Sequence, residues 1–380
     1  MKDLRSLLEK AQNRKQLPTV IAYNRIDGPG SSLDLREFQQ SLWMMPSVPN
    51  DLDRDPAMEW TRGLPRTIGI TIDTGTRIHA EPFEEHRIGV RSVEYGTEVT
   101  ASLGEVVPTK ENWLLKIMEL FRLSGVIFVL HNLRPGIQSS GLGGSATATT
   151  GVCILSNELA GRPLSSTQLV SMASRLEQDL GVSITGTQEQ SNVVFGGVTD
   201  YVWFPWGLPG APDTGYGTSL RTQLMPSSAY GDLERRMAIF HSGKTRASTD
   251  VNSVWMSALS QPEGYAMHRR KLEIAYRYRE ALRLRNWHDV KDTIAEYRSV
   301  RSTICPAYLD GAKEIQGFAD AKGCVSFPLG AGGGGGILVF SPAPEVLESL
   351  RKEIGEVYRD IPVRIKQHGH ELLHLPLEEE

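Results

Sequence analysis

The run Ser139-Ser140-Gly141-Leu142-Gly143-Gly144-Ser145-Ala146 has the composition of a phosphate cradle. Three glycines in four positions let the backbone turn its N–H groups toward one point. A helix beginning at the end of the run adds partial positive charge there. The loop contains no Gly-Lys-Ser/Thr, so a P-loop lysine is absent, and Mg²⁺ ligands and a group to handle an acceptor hydroxyl must come from elsewhere. Ser145 sits at the helix start, where its hydroxyl can reach a metal bridging the phosphates; it would serve equally as a helix cap. Glu177, in Leu176-Glu177-Gln178-Asp179, lies on a helical pattern and is either a metal ligand or a solvated charge. Glu189 follows twelve positions later, between Gln188 and Gln190, in an expected loop ahead of a glycine turn. A carboxylate there could take a proton from an acceptor hydroxyl. Arg25 could offset developing charge, or form a surface salt bridge. Asp34 could accept hydrogen bonds from substrate hydroxyls, or cap a helix through Leu35-Arg36-Glu37-Phe38.

Simpler readings of the cradle are weak. A dinucleotide fingerprint in Gly141-x-Gly143-x-x-Ala146 needs the first glycine at a strand end and a strand after the helix. Here the eight residues Leu133 to Ser140 intervene, and a second helix follows the first. A glycine turn with no ligand is the remaining bland reading. Five consecutive glycines at 332–336, between apolar strands, count against it. Glycine loses much backbone entropy on folding, so such a loop points to close backbone approach.

The elements that position these residues alternate strands with helices. A polar amphipathic helix over 1–15 carries Leu4, Leu7, Leu8 and Ala11 on one stripe. Strands are expected at Thr19 to Tyr23, Thr67 to Ile72, Arg77 to Pro82, Ile88 to Val93, Glu98 to Ala101 and Val126 to Leu130. Helices are expected at Asn112 to Leu123, 144–160 and Thr167 to Leu180, the last capped at Ser165-Ser166. A strand behind a glycine turn covers 195–203. Residues 44–65, rich in Pro, Asp and Trp, read as an irregular insertion. The Gly/Pro-rich stretch 207–217 divides residues 1–206 from 207–380. Beyond it come a strand from Arg236 to His241, helices over 264–285, 287–301 and 307–321, the strand–glycine loop–strand around 324–340, a helix from Ala343 to Tyr358 and a strand from Pro362 to Ile365. This order reads as α+β rather than a doubly wound sheet.

Bulk properties agree with a soluble globular protein. The 380 residues suggest two lobes, and the hydrophobic and charged fractions of 40% and 23% are ordinary. A net charge of -4 without a basic run argues against nucleic acid as the main partner. Cys153, Cys305 and Cys324 have no CxxC spacing, which fits a reducing cytoplasm and argues against a disulfide or zinc framework. No run approaches the ~20 apolar residues of a membrane helix, and the N-terminus lacks a signal-peptide pattern. The oligomeric state is open, a homodimer being one expectation.

In order and spacing these motifs resemble the GHMP kinase superfamily, over about Arg25 to Ile365. The chain looks most like the branch of D-glycero-D-manno-heptose 7-phosphate kinases and fucokinase-like proteins. Ser140-Gly141-Leu142-Gly143-Gly144-Ser145-Ala146 resembles the family's Ser-Gly-Leu-Gly-Thr/Ser-Ser. Leu176-Glu177-Gln178-Asp179, Gly186-Thr187-Gln188-Glu189-Gln190 and Phe195-Gly196-Gly197 resemble Ile-Glu-Arg-Asp, Gly-Lys-Gln-Asp-Gln and Phe-Gly-Gly. His241-Ser242-Gly243-Lys244-Thr245-Arg246-Ala247-Ser248 resembles Thr-Gly-x-Ser-Arg-x-Ser. Gly330-Ala331-Gly332-Gly333-Gly334-Gly335 matches the C-terminal glycine loop.

The resemblance implies a two-lobed fold, with an N-terminal ribosomal-S5-like lobe and a C-terminal ferredoxin-like lobe. It also implies an ATP-dependent, Mg²⁺-requiring kinase acting on a sugar or sugar phosphate. ATP would lie on residues Ser139 to Ala146 and Mg²⁺ on Ser145 and Glu177. Glu189, Arg25 and Lys244 would be catalytic. Gly30, Asp34, Arg246, Gly332, Gly333 and Gly334 would face the acceptor. Departures cluster on the acceptor side. Glu189 stands for the family's aspartate, whose carboxylate would lie about a bond length away. Gly30-Ser31-Ser32-Leu33-Asp34 stands for Gly-Gly-Gly-Thr-Asp, and Gly336 for a usual Phe. The alternatives are a catalytically degenerate binding homologue and a kinase for a non-sugar alcohol.

Overall fold

The computed structural model describes residues 4–42, 61–137, 140–162, 164–204, 219–244, 248–355 and 357–374. The chain begins with α1 (Leu4–Asn13), β1 (Thr19–Asp27), α2 (Arg36–Leu42), β2 (Arg66–Pro82), β3 (Arg87–Ser92) and β4 (Thr97–Ser102). Next come α3 (Trp113–Leu120), β5 (Val126–Asn132), α4 (Gly144–Leu159), α5 (Ser166–Asp179), α6 (Gln188–Phe195), β6 (Val198–Trp203) and β7 (Ser219–Gln223). Then follow α7 (Tyr230–Glu234), β8 (Met237–His241), α8 (Ser248–Leu259), α9 (Pro262–Leu284), α10 (Trp287–Ile304) and α11 (Lys313–Ala321). The last elements are β9 (Val325–Pro328), β10 (Gly336–Phe340), α12 (Pro344–Ile354), β11 (Arg359–Ile361) and β12 (His370–Leu373).

Two sheets organise these elements, which is the α+β arrangement expected. The larger has the path β12-β1-β2-β5-β3-β4, with β6 on β2 and β7 on β6. Its pairs are antiparallel except β3 with β5. The smaller is antiparallel in the order β11-β8-β10-β9. The expected division near residue 206 falls among 205–218, and most of the expected 44–65 insertion among 43–60; both lie outside the described residues.

Period-two alternation decides which face each strand buries. Val20, Ala22, Ile78, Ala80 and Phe128 join Val152 and Leu155 of α4 in one core. Ile26, Ile68, Ile70 and Ile72 join Leu272, Ile274 and Tyr278 of α9 in another, which also takes Ile239, Leu338 and Phe340 of the small sheet. The alternate residues Ala238, Phe240, Ile337 and Val339 pack instead on Ile315 of α11 and Leu347 of α12. Each buried aliphatic side chain of this kind contributes ~1.5–3 kcal/mol. Helix α5 starts with the expected cap: Ser165 and Gln168 form a reciprocal capping box.

Several boundaries differ from those expected. Thr67 to Ile72 and Arg77 to Pro82 belong to one strand, β2. The turn-like residues Asp73 and Thr74 form a bulge in β2, opposite the step from Tyr23 to Asn24 in β1. Gly75 permits this, since a Cβ there would lie 2.0 Å from the Ala22 carbonyl. The helix expected over 307–321 is a 3-10 turn, Pro306–Leu309, followed by α11. Pro362 to Ile365 makes only an isolated bridge, Ile365 to Ile72. The closing strands are instead β11 and β12, and β12 returns to pair with β1. Glu189 lies in the first turn of α6, not in a loop.

Candidate active site

The phosphate-cradle sequence closes the gap between β5 and α4. Gly143 is the N-cap of α4 and takes a left-handed φ of 84°, which a residue with a Cβ adopts at a cost. The first amides of α4 lack partners within their helix, as at every helix start, so they present donors and a partial positive charge. They open on a cleft of about 970 Å³ that Ser140 to Ser145 help to line. The other walls include Asn24, Arg25 and Asp34, the turn at Gly186 to Glu189, Asn252 of α8, and Gly330 to Gly332 with Gly334.

Strand β1 delivers Arg25 to this cleft with its side chain 4% exposed. One amino group donates to the Gly141 carbonyl at 3.0 Å and the other forms an ion pair with Glu189. The Arg25 backbone N–H donates to the Leu142 carbonyl at 3.2 Å, so strand and loop are joined twice. Burial works against the Arg25 charge, but Glu189, Asp27 and Asp34 outweigh it and raise its pKa. Glu189 keeps 29% of its side chain exposed. A Cβ on Gly143 would stand 3.4 Å from the Glu189 carboxyl carbon, which puts that carboxylate beside the cradle.

Ser145 and Glu177 also meet. The Ser145 hydroxyl donates to one oxygen of Glu177 at 2.5 Å, and Gln190 Nε2 donates to the other at 2.6 Å. Glu177 is fully buried, and that burial raises its pKa to about 7 against the Ser145 and Gln190 hydrogen bonds, with Glu189 adding to the rise. A buried carboxylate in this state lacks an opposing charge. A divalent cation would supply one. Among the described residues no group of three or more His, Cys, Asp or Glu could hold a metal by itself. One carboxylate and one hydroxyl fit an ion that keeps waters and takes its remaining ligands from phosphates.

Asp34, on the turn after β1, lines the cleft while its carboxylate accepts from the Gln188 backbone N–H at 2.9 Å. It thereby holds the first turn of α6, which carries Glu189. Burial raises the Asp34 pKa, and the Gln188 amide opposes that rise.

The remaining expected residues distribute unevenly. Gly332 and Gly334 line the cleft, whereas the Gly333 amide donates to the Tyr308 carbonyl at 2.9 Å. Gly30 packs on the Arg66 backbone and Ala146 is buried; neither is among the lining residues. Lys244 is not brought to the cleft; its carbonyl accepts from the Gly335 amide at 2.8 Å, and its side chain runs toward Gly311. Ser139 and Arg246 lie outside the described residues. Sequence reasoning missed Asp27, Gln190 and the far wall of Tyr95, Thr97 and Trp113. Only the adjacency of Gln190 to Glu189 could have suggested one of them.

Comparison with known proteins shows what the chain and its fold are similar to. Residues 113–197, which include the cradle, Glu177 and Glu189, match the GHMP kinases N terminal domain. A D-glycero-alpha-D-manno-heptose 7-phosphate kinase from Campylobacter jejuni is 24% identical over 249 residues, 64% of this chain and 70% of that protein. The Lin0012 protein from Listeria innocua superposes with a TM-score of 0.71 at 15% identity, covering 93% of this chain and 99% of that one. Phosphomevalonate kinase from Streptococcus pneumoniae, solved with phosphomevalonate and AMPPNP, gives 0.64 at 12% identity over 93% and 98% of the two chains.

Proposed function

We propose that this chain, which has the GHMP kinase fold and carries the family's N-terminal domain over residues 113–197, is an ATP-dependent kinase. It would transfer the terminal phosphoryl group to a hydroxyl of a small molecule, a sugar or sugar phosphate. The carrying observation is the Arg25–Glu189 pair beside Gly143 at the cradle. The Campylobacter relative supports the sugar-phosphate acceptor class.

Phosphoryl transfer asks the protein mainly for positioning and charge stabilisation. The amides of Gly143 to Ser145 and the start of α4 would hold the phosphates. Mg²⁺ held by Ser145 and Glu177, when bound, would neutralise charge on the phosphate oxygens. Glu189 would aim the acceptor oxygen at the phosphorus and take the hydroxyl proton as the new O–P bond forms and ADP leaves. Arg25, anchored on Gly141, fixes the Glu189 carboxylate and offsets charge as it develops. Asp34 holds the helical turn that carries Glu189.

Release of ADP from Mg·ATP, screened over sugars, sugar phosphates and amino alcohols, tests this reading. Acceptor-dependent release with a sugar or sugar phosphate is expected. Release with an amino alcohol alone would assign a non-sugar acceptor. Binding of Mg·AMPPNP without release for any acceptor would assign a binding protein instead.

A further inference from the structure

The glycine loop between β9 and β10 is tied into the site by a residue with no role above. Asp27, two positions after Arg25 on β1, is completely buried. Its Oδ1 accepts from the Gly330 backbone N–H at 2.9 Å and lies 3.8 Å from Nη1 of Arg25. That same Arg25 nitrogen donates to the Gly141 carbonyl. At the loop's far end the Gly336 amide donates to the Ser140 carbonyl at 2.8 Å. The contacts therefore close a ring: Asp27 to Gly330, along the glycine loop to Gly336, across to Ser140 and Gly141, and through Arg25 back to Asp27. The two loops touch within the ring, since a Cβ on Gly141 would lie 2.6 Å from the Leu329 carbonyl. From outside the ring Arg301 of α10, itself buried, donates to the carbonyls of Gly330 at 3.1 Å and Ala331 at 3.2 Å.

Asp27 Oδ2 is buried with no hydrogen-bond partner among the described residues. A buried acceptor left unmade destabilises the fold, so packing alone gives no reason for a carboxylate here. Its charge and its single bond both point at the ring. We propose that Asp27 is a positioning residue that locks the glycine loop onto the phosphate cradle and holds Arg25 in place, with Arg301 clamping the loop from α10. This rests on the reading of Ser140 to Ser145 as a nucleotide cradle, but the coupling of the two loops can be measured without any nucleotide.

Hydrogen exchange of the full chain, with and without Mg·AMPPNP, tests it. Asp27→Ala should speed exchange in both 140–145 and 329–336 by roughly tenfold in the nucleotide-free chain, because local opening follows the contacts that hold a segment. It should also weaken Mg·AMPPNP by about tenfold. Asp27→Asn keeps an acceptor for the Gly330 amide but loses the charge beside Arg25, so it should restore protection in 329–336 while leaving 140–145 less protected than in wild type. Should Asp27→Ala not fold, Arg301→Lys releases the same loop from the other side and should loosen the same two segments. Faster exchange confined to 329–336, with 140–145 and Mg·AMPPNP affinity unchanged, would overturn the proposal. So would an Asn variant as loose as the Ala variant. A wild-type chain that does not bind Mg·AMPPNP would overturn the cradle reading instead, and the nucleotide-free exchange would still decide the coupling.

Discussion

Arg25 and Glu189 are 164 positions apart in sequence and form an ion pair at the edge of the cleft, with Arg25 also donating to Gly141 of the cradle. One guanidinium thus spans the loop that would hold the phosphates and the carboxylate that would meet the acceptor. A planar fork makes both contacts at once, whereas an ammonium is a point charge. Arg25→Lys should therefore lower kcat by about a hundredfold with a much smaller change in the KM for ATP. Steady-state kinetics on the acceptor found by the ADP screen checks this; an equal loss in kcat and nucleotide affinity would contradict it.

Glu177 predicts a pH dependence in the metal-free protein. Its folded pKa is raised to about 7, above the ordinary 4.5, so between those values the folded state holds a proton that the unfolded chain releases. Stability should then fall as pH rises across that window, by on the order of 3 kcal/mol for a shift of this size. Glu177→Gln should remove that component, so the difference between wild type and variant in EDTA, followed by thermal denaturation from about pH 4.5 to 7.5, should grow with pH. A difference independent of pH would contradict the buried, unpaired state of Glu177.

The same carboxylate should bind the cation only when ionised. Mg²⁺-dependent nucleotide affinity should rise with pH toward neutrality in the wild type and lose that rise in Glu177→Gln. Calorimetric titration of AMPPNP with and without Mg²⁺ measures it. An undiminished Mg²⁺ effect in the variant would remove Glu177 from the metal site.

Gly141 should tolerate no side chain. Its φ is 72°, and a Cβ would meet the Leu329 carbonyl at 2.6 Å. Gly141→Ala should weaken Mg·AMPPNP by about tenfold or more through displacement of the cradle from the glycine loop. Binding measured on the folded variant decides; wild-type affinity would mean that the two loops need not touch.

How far the sequence reached depended on whether the determining contacts were local. The cradle, the helix behind it and the cap at Ser165 announce themselves through residue type within a few positions. The family resemblance puts Ser145 and Glu177 on one ion, but no motif encodes the Arg25–Glu189 pair, which joins residues 164 positions apart. Helix α6 was hidden because eight residues with polar side chains at Gln188, Glu189, Gln190, Ser191 and Asn192 carry no apolar stripe; the Gln188 backbone N–H and the Gln190 side chain bond instead to the buried Asp34 and Glu177. Strand β2 looked broken because Asp73, Thr74 and Gly75 are turn formers, yet the strand continues through them, with Asp73 and Thr74 bulging out of register between the Tyr23–Gly75 and Asn24–Ile72 pairs. The short β12 has no pattern of its own and exists because β1 offers an open edge. The Asp27–Gly330 bond joins residues 303 positions apart and was not legible at all.

The most direct measurement compares wild type with Glu189→Gln in acceptor-dependent ADP release, with Mg·AMPPNP affinity measured on the same preparations. Glu189→Gln keeps the shape of the side chain while removing the charge that Arg25 holds beside the cradle. Loss of at least about a hundredfold in kcat with nucleotide affinity within about threefold of wild type is the predicted result. Undiminished ADP release by Glu189→Gln would contradict the assignment of this carboxylate to the acceptor hydroxyl.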